Sequence, residues 1–131
     1  MIILSWNGRG LGNRRAVQVL TDLVRIKGST ILFLMETKST VNEMKSVKAE
    51  LGFPSMLCVP SVRCSGGLAL LWKNDVMVNT QTYSPNHIDV VVSSPSQALW
   101  RLTGVYGHPE ERLKSETWRL MRHLRAWLSI P

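Results

Sequence analysis

Cysteine is nearly missing from this chain: Cys58 and Cys64 are its two thiols. Two cysteines cannot staple a fold of this size, and their spacing, without flanking histidines, does not match a zinc pattern. A reduced, intracellular protein is the expectation. Long apolar runs are missing too, and none approaches the length of a membrane span. Met1-Ile2-Ile3-Leu4 is apolar, but Asn7, Arg9, Arg14 and Arg15 follow at once. That stretch is too short for a signal peptide and its charges lie on the wrong side, so a soluble protein with no membrane partner is expected. Internal repeats, low-complexity tracts, linkers and dense Lys/Arg runs are also lacking.

What remains is the composition of a single globular domain. Of its 131 residues, 44% are hydrophobic and 19% charged, which separates it from disordered chains. Acids are outnumbered, 9 Asp+Glu against 16 Lys+Arg, for a net charge of +7. Such an excess points to a polyanionic partner, nucleic acid before an acidic membrane surface.

The pattern predicts a β-α-β-α-(β)n-α unit spanning residues 1–131 as one domain: an α/β fold with one mixed sheet and helices on its outer face. Residues 1–7 and Thr30–Met35 read as buried strands. Between them, Asn13 caps a helix over 14–27 with Ala16, Val19, Leu20, Leu23 and Val24 as its apolar stripe and Gly28 as its C-cap. Thr40 caps a second helix, Val41 to Leu51, with Val41, Met44, Val47 and Leu51 facing inward, ended by Gly52 and Pro54. Short strands are expected at Ser55–Val59, Gly67–Lys73, Met77–Tyr83, Asp89–Ser94 and Trp100–Tyr106, separated by turns that include Gly66-Gly67, Ser84–His87 and Ser94–Ser96. They form an antiparallel meander added to the first two strands. A last helix runs from about Glu110 to Leu128.

Three of the apolar runs end in a polar residue: Asn7, Glu36 and Tyr106. In α/β proteins the carboxyl ends of strands converge on one edge, where ligands bind. An amide, a carboxylate and a phenol gathered there suit a hydrated Mg²⁺ and a phosphate. Arg9 and Lys38, beside the same loops, either pair with phosphate oxygens or are solvated surface charges. Gly8, Gly10 and Gly12 do not make a dinucleotide fingerprint, because the spacing is G-x-G-x-G rather than G-x-G-x-x-G. They let the loop turn tightly. His87, His108 and His123 have surface or turn explanations.

Four segments in order carry a resemblance: Ser5-Trp6-Asn7-Gly8-Arg9-Gly10-Leu11-Gly12, Leu34-Met35-Glu36-Thr37-Lys38, Arg63-Cys64-Ser65-Gly66-Gly67-Leu68-Ala69-Leu70-Leu71-Trp72, and Gly104-Val105-Tyr106-Gly107-His108-Pro109. Together they resemble the endonuclease/exonuclease/phosphatase superfamily, and within it the apurinic-type endonuclease domain of plant LINE-type (non-LTR) retrotransposons. The resemblance covers the whole chain but only the amino-terminal half of that domain. It implies half of a four-layer, DNase I-like α/β sandwich. Glu36 then resembles the metal-binding glutamate, with Asn7 helping to place the metal, and Tyr106 the tyrosine whose hydroxyl approaches the scissile phosphate. Gly8 departs from the cysteine common in plant members.

The activity implied is metal-assisted hydrolysis of a phosphodiester, with DNA as partner and Mg²⁺ (Mn²⁺ as an alternative) as a weakly held cofactor. The family's Asp-x-Asn strand end and later Asp-His pair do not occur here. Three readings stand: part of an endonuclease, inactive alone; a non-catalytic remnant that binds nucleic acid weakly; or a related phosphoesterase acting on small substrates. An uncovered sheet face predicts self-association, and a DNA substrate suggests the nucleus.

Overall fold

The computed structural model describes residues 1–9, 11–61 and 66–106. Chain order is β1 (Ile3–Asn7), α1 (Arg14–Lys27), β2 (Ile31–Met35), α2 (Val41–Leu51), β3 (Ser55–Val59), β4 (Leu68–Trp72), β5 (Met77–Ser84), β6 (His87–Ser94) and β7 (Gln97–Val105). These form two compact units, Met1–Val76 and Met77 onward. The helix expected over 110–128 lies outside the described residues.

Local signals fix both helices of the first unit. Asn13 Oδ1 accepts from the Arg15 N–H at 2.8 Å, and Gly28 closes α1 with φ 63°. Thr40 and Glu43 form a reciprocal capping box at the start of α2, and Gly52 ends it at φ 77°. The faces these helices bury differ slightly from the expected stripes. Along α1 the buried residues are Val17, Leu20 and Val24, whereas Val19 is half exposed. On α2, Met44, Val47 and Leu51 are buried and Val41 is exposed. The sheet beneath selects positions at 3- and 4-residue steps; Val19 falls outside that arc, and Val41, three residues before Met44, is the first residue of α2.

The first unit's sheet is mixed, in the order β1-β2-β4-β3. β1 and β2 run parallel; β2 and β3 each pair antiparallel with β4. Side chains alternate across it. Leu32 and Leu34 of β2 and Ala69 and Leu71 of β4 join Leu20, Val24, Met44, Val47 and Leu51 in one apolar cluster beneath the helices. Ile31, Phe33, Leu68 and Leu70, on the opposite face, are buried as well. Continuous apolar runs such as Ile31–Leu34 and Leu68–Leu71 are what strands covered on both sides require. Each such side chain contributes about 1.5–3 kcal/mol. Cys58, half-buried in β3, has its thiol pKa pushed up by burial.

The meander does not extend that sheet, as one mixed sheet would require. β5, β6 and β7 pair among themselves in a separate three-stranded antiparallel sheet. Two-residue turns, Pro85-Asn86 and Pro95-Ser96, join them. β7 begins at Gln97, earlier than its apolar pattern suggested, because Ser94 pairs with Gln97 across the turn.

Polar groups are buried inside this second sheet. Asp89, fully buried, accepts two hydrogen bonds from Arg101 on the neighbouring strand at 2.8 and 2.9 Å, and a third from Thr103 Oγ1 at 2.9 Å. His87 is neither in a turn nor on the surface: it opens β6 and is buried. Thr82 Oγ1 lies 2.8 Å from its Nε2 and Ser84 Oγ 2.6 Å from its Nδ1. Burial lowers the His87 pKa from its ordinary 6.5, with Asp89 pulling the other way. His108 and His123 lie outside the described residues.

Two stability predictions follow from these groups. Asp89→Ala leaves a buried guanidinium short of its carboxylate and should cost about 3 kcal/mol or more in urea unfolding. Because the fold favours a neutral His87, unfolding takes up a proton below 6.5. Stability should therefore be full above that value and fall as pH drops through it. His87→Gln should flatten this part of the urea-midpoint profile.

Candidate functional site

Parallel pairing of β1 with β2 sets Asn7 directly opposite Met35, so both strands deliver their carboxyl ends to one edge. The Gly8 N–H donates to the Met35 carbonyl, carrying the pairing one step past Asn7. Gly8 is buried there, and a Cβ would stand 3.0 Å from both Leu11 Cδ1 and the Met35 oxygen. Glycine fits closely here, since a side chain would make its neighbours give by a few tenths of an ångström.

The side chains then meet. Asn7 Nδ2 donates to Glu36 Oε2 at 3.1 Å, and Asn7 Oδ1 accepts the Arg9 N–H at 2.9 Å, a short Asx turn that aims the amide. An Arg9 guanidinium nitrogen lies 3.4 Å from the same Glu36 oxygen. Arg9 is 70% exposed and Glu36 13%, so the acid is held inside the edge while the cation reaches out from it. A pair with one member so exposed contributes about 0–1 kcal/mol, which lets Arg9 exchange Glu36 for an incoming anion at little cost.

Beyond β2 the backbone is unusual. Glu36 (φ 51°) and Lys38 (φ 50°) are the non-glycine residues with positive φ among those described. Each left-handed conformation costs roughly 1–2 kcal/mol. The segment is held by its neighbours: the Thr37 N–H donates to the Gly67 carbonyl at 3.1 Å and the Lys38 N–H to the Gly66 carbonyl at 2.8 Å. Ser39 Oγ donates to the Thr37 carbonyl at 2.8 Å, and the Ser61 N–H to the Ser39 carbonyl at 3.2 Å. Thr37 and Ser39 are buried; Lys38 is exposed.

Asn7, Glu36 and Arg9 are thus brought together, with Lys38 two residues along the same loop. Tyr106 belongs to the second unit, directly after β7. There its N–H donates to the Asn86 carbonyl at 2.8 Å, and its carbonyl accepts Asn86 Nδ2 at 3.3 Å. The sequence pattern did not single out Thr37, Ser39 and Ser61 as supports of the acid. The Gly66-Gly67 pair, read as a turn, was the available signal.

The donor set bears on the metal. Among the described residues no group of three His, Cys, Asp or Glu side chains could hold an ion. Glu36 alone fits Mg²⁺ in the manner typical of phosphoryl enzymes, where one or two carboxylates share the ion with water and substrate phosphate. No helix among the described residues is long and apolar enough to cross a membrane.

No family model matches this chain, and no curated protein matches it. Solved structures do. The AP endonuclease LMAP from Leishmania major superposes with a TM-score of 0.62 at 18% identity, over 95% of this chain and 46% of that one. Truncated Caenorhabditis elegans TDP2 gives 0.60 at 15% identity, over 96% and 56%. The Xenopus laevis APE2 catalytic domain gives 0.54 at 17%, over 95% and 51%. The chain therefore shares the DNase I-like α/β fold of these structures. This chain spans about half the length of the solved chains it matches, consistent with an amino-terminal half.

Lys38 offers a direct measure of the strain beside Glu36. Lys38→Gly removes a left-handed side chain at an exposed position, and should stabilise the protein by about 0.5–1 kcal/mol once the greater freedom of glycine when unfolded is subtracted. Urea midpoints at constant m-value give the number.

Proposed function

We propose that this chain is part of a Mg²⁺-dependent phosphodiesterase acting on DNA, of the plant LINE-retrotransposon type that its motifs resemble. The observation that carries the reading is the Asn7–Glu36 hydrogen bond at the carboxyl ends of two parallel strands, on a DNase I-like fold.

In this reading Glu36 holds the ion and Asn7 keeps its carboxylate turned toward the edge, close enough for the amide to share in placing the ion. Bound Mg²⁺, or Mn²⁺ in its place, would polarise the phosphoryl oxygen and steady the leaving oxyanion. Arg9 and Lys38 would take phosphate oxygens, and the resemblance gives Tyr106 the role of the tyrosine whose hydroxyl approaches the scissile phosphate. DNA is held through its backbone by the basic excess, which fits a nuclear location. The sequence offers neither an Asp-x-Asn strand end nor an Asp-His pair to take the proton from water, so turnover by these residues alone is slow. β1 is an edge strand carrying exposed Ile3, and self-association of the chain would start there.

Binding without cutting is the second reading, favoured by the net charge of +7 beside the missing Asp-x-Asn and Asp-His motifs in this sequence. Plasmid nicking decides between the two. With Mg²⁺, slow nicking that is lost in Glu36→Gln supports the nuclease. Salt-sensitive retention of DNA with no nicking by either protein supports the binder. Nicking that survives Glu36→Gln overturns the site.

A further inference from the structure

The pairing between β2 and β4 does not stop where the strands do. Met35 lies opposite Leu68, the next hydrogen bond joins Thr37 to Gly67, and the one after joins Lys38 to Gly66. Glu36 is skipped. Two residues, Glu36 and Thr37, thus oppose the single Gly67, and the skipped residue has a left-handed backbone. This is the arrangement of a β-bulge whose first residue is left-handed, a device that turns a side chain out of the strand's alternation. Such bulges usually carry glycine at that position. A glutamate there keeps a strained backbone only where its surroundings hold it.

Gly67 is the part that holds it. Its φ of 98° suits glycine alone, and it lies flush against the loop. A Cβ on Gly67 would collide with Thr37 Oγ1 and come within 3.2 Å of the Lys38 nitrogen. Thr37 is itself 2% exposed, so a shift of its side chain would have to be taken up inside the packed loop. Gly66 differs: its φ is 73°, but a Cβ there would meet nothing within 4 Å.

We propose that Gly67 is a positioning residue for Glu36: its missing side chain lets the start of β4 press against Thr37 and fix the bulge that aims the Glu36 carboxylate at the ion. The inference rests on the reading of Glu36 as the metal ligand. It assigns the Gly-Gly pair two unequal tasks, Gly66 making a turn and Gly67 setting the metal ligand.

The test is a Mn²⁺ titration of residues 1–131, followed by paramagnetic broadening of backbone amide signals. Wild-type protein should lose the Gly8, Glu36 and Thr37 signals first. Glu36→Gln should abolish that localised loss; if it does not, the metal reading fails, whatever Gly67 does. With that control in place, Gly67→Ala should raise the Mn²⁺ midpoint at least ten-fold while signals from α1 and the β5–β7 sheet stay in place. Gly66→Ala, at a positive φ of 73° and without the contact, should shift the midpoint less than three-fold, and Gly67→Ala/Thr37→Ala separates the contact from the backbone. Equal midpoints for Gly67→Ala and wild type, or equal shifts for the two alanine variants, overturn the proposal. Should Gly67→Ala not fold, Gly67→Ala/Thr37→Ala removes the colliding oxygen. That pair should fold and bind Mn²⁺ within three-fold of wild type, and a midpoint still raised ten-fold overturns the proposal.

Discussion

Everything at the Glu36 end of the first sheet depends on β1 and β2 running parallel. An antiparallel pair would send Asn7 to the far end of β2, beside Thr30, and leave Glu36 without its amide. The parallel arrangement needs a crossover, which α1 supplies, and it needs β2 to be covered on both faces, which its unbroken apolar run permits. One helix and one strand composition therefore place an amide beside a carboxylate that is 29 residues away in sequence. Gly8 completes the arrangement by letting the two backbones close to hydrogen-bonding distance.

That edge is also where the protein tolerates discomfort. Left-handed Glu36 and Lys38 and an unpartnered Thr37 hydroxyl lie within three consecutive residues. Elsewhere in the first unit the helix caps are satisfied and, apart from Ser29 Oγ, the buried side-chain polar atoms among the described residues have partners, with no other left-handed non-glycine residue. The contrast matches the general pattern in which backbone strain collects at working sites and persists because rigid surroundings over-determine it.

The parts of this structure that the sequence made legible are those decided locally. Asn13 with Gly28 and Thr40 with Gly52 mark both helices, because a cap needs only a side-chain oxygen and a left-handed glycine within a turn. Asn7 and Glu36 stand out because a polar residue ending an apolar run is itself a local signal. What could not be read depends on distant partners. Val17 rather than Val19 faces inward because β2 and β4 decide where the helix rests. The meander forms its own sheet, and no pattern within residues 77–105 reveals which strands β5 and β7 will leave unpaired or join. His87 resembles a turn residue beside Pro85-Asn86, yet the hydroxyls of Thr82 and Ser84 draw it inside. The backbone at Glu36 is set by Gly67, across a strand boundary.

The Asp89–Arg101–Thr103 cluster has a meaning for accuracy as well as for cohesion. Antiparallel strands of valine, leucine and threonine fit one another almost equally well if one slides along the other. Sliding β7 by a single residue turns Arg101 and Thr103 to the opposite side of the sheet and strands the Asp89 charge in an apolar interior. The mismatched alignment is thereby singled out by electrostatics where packing alone would discriminate poorly. The cluster therefore penalises that misalignment. The alignment it enforces also fixes how far along β6 the chain leaves β7, and so where Tyr106 stands against Asn86.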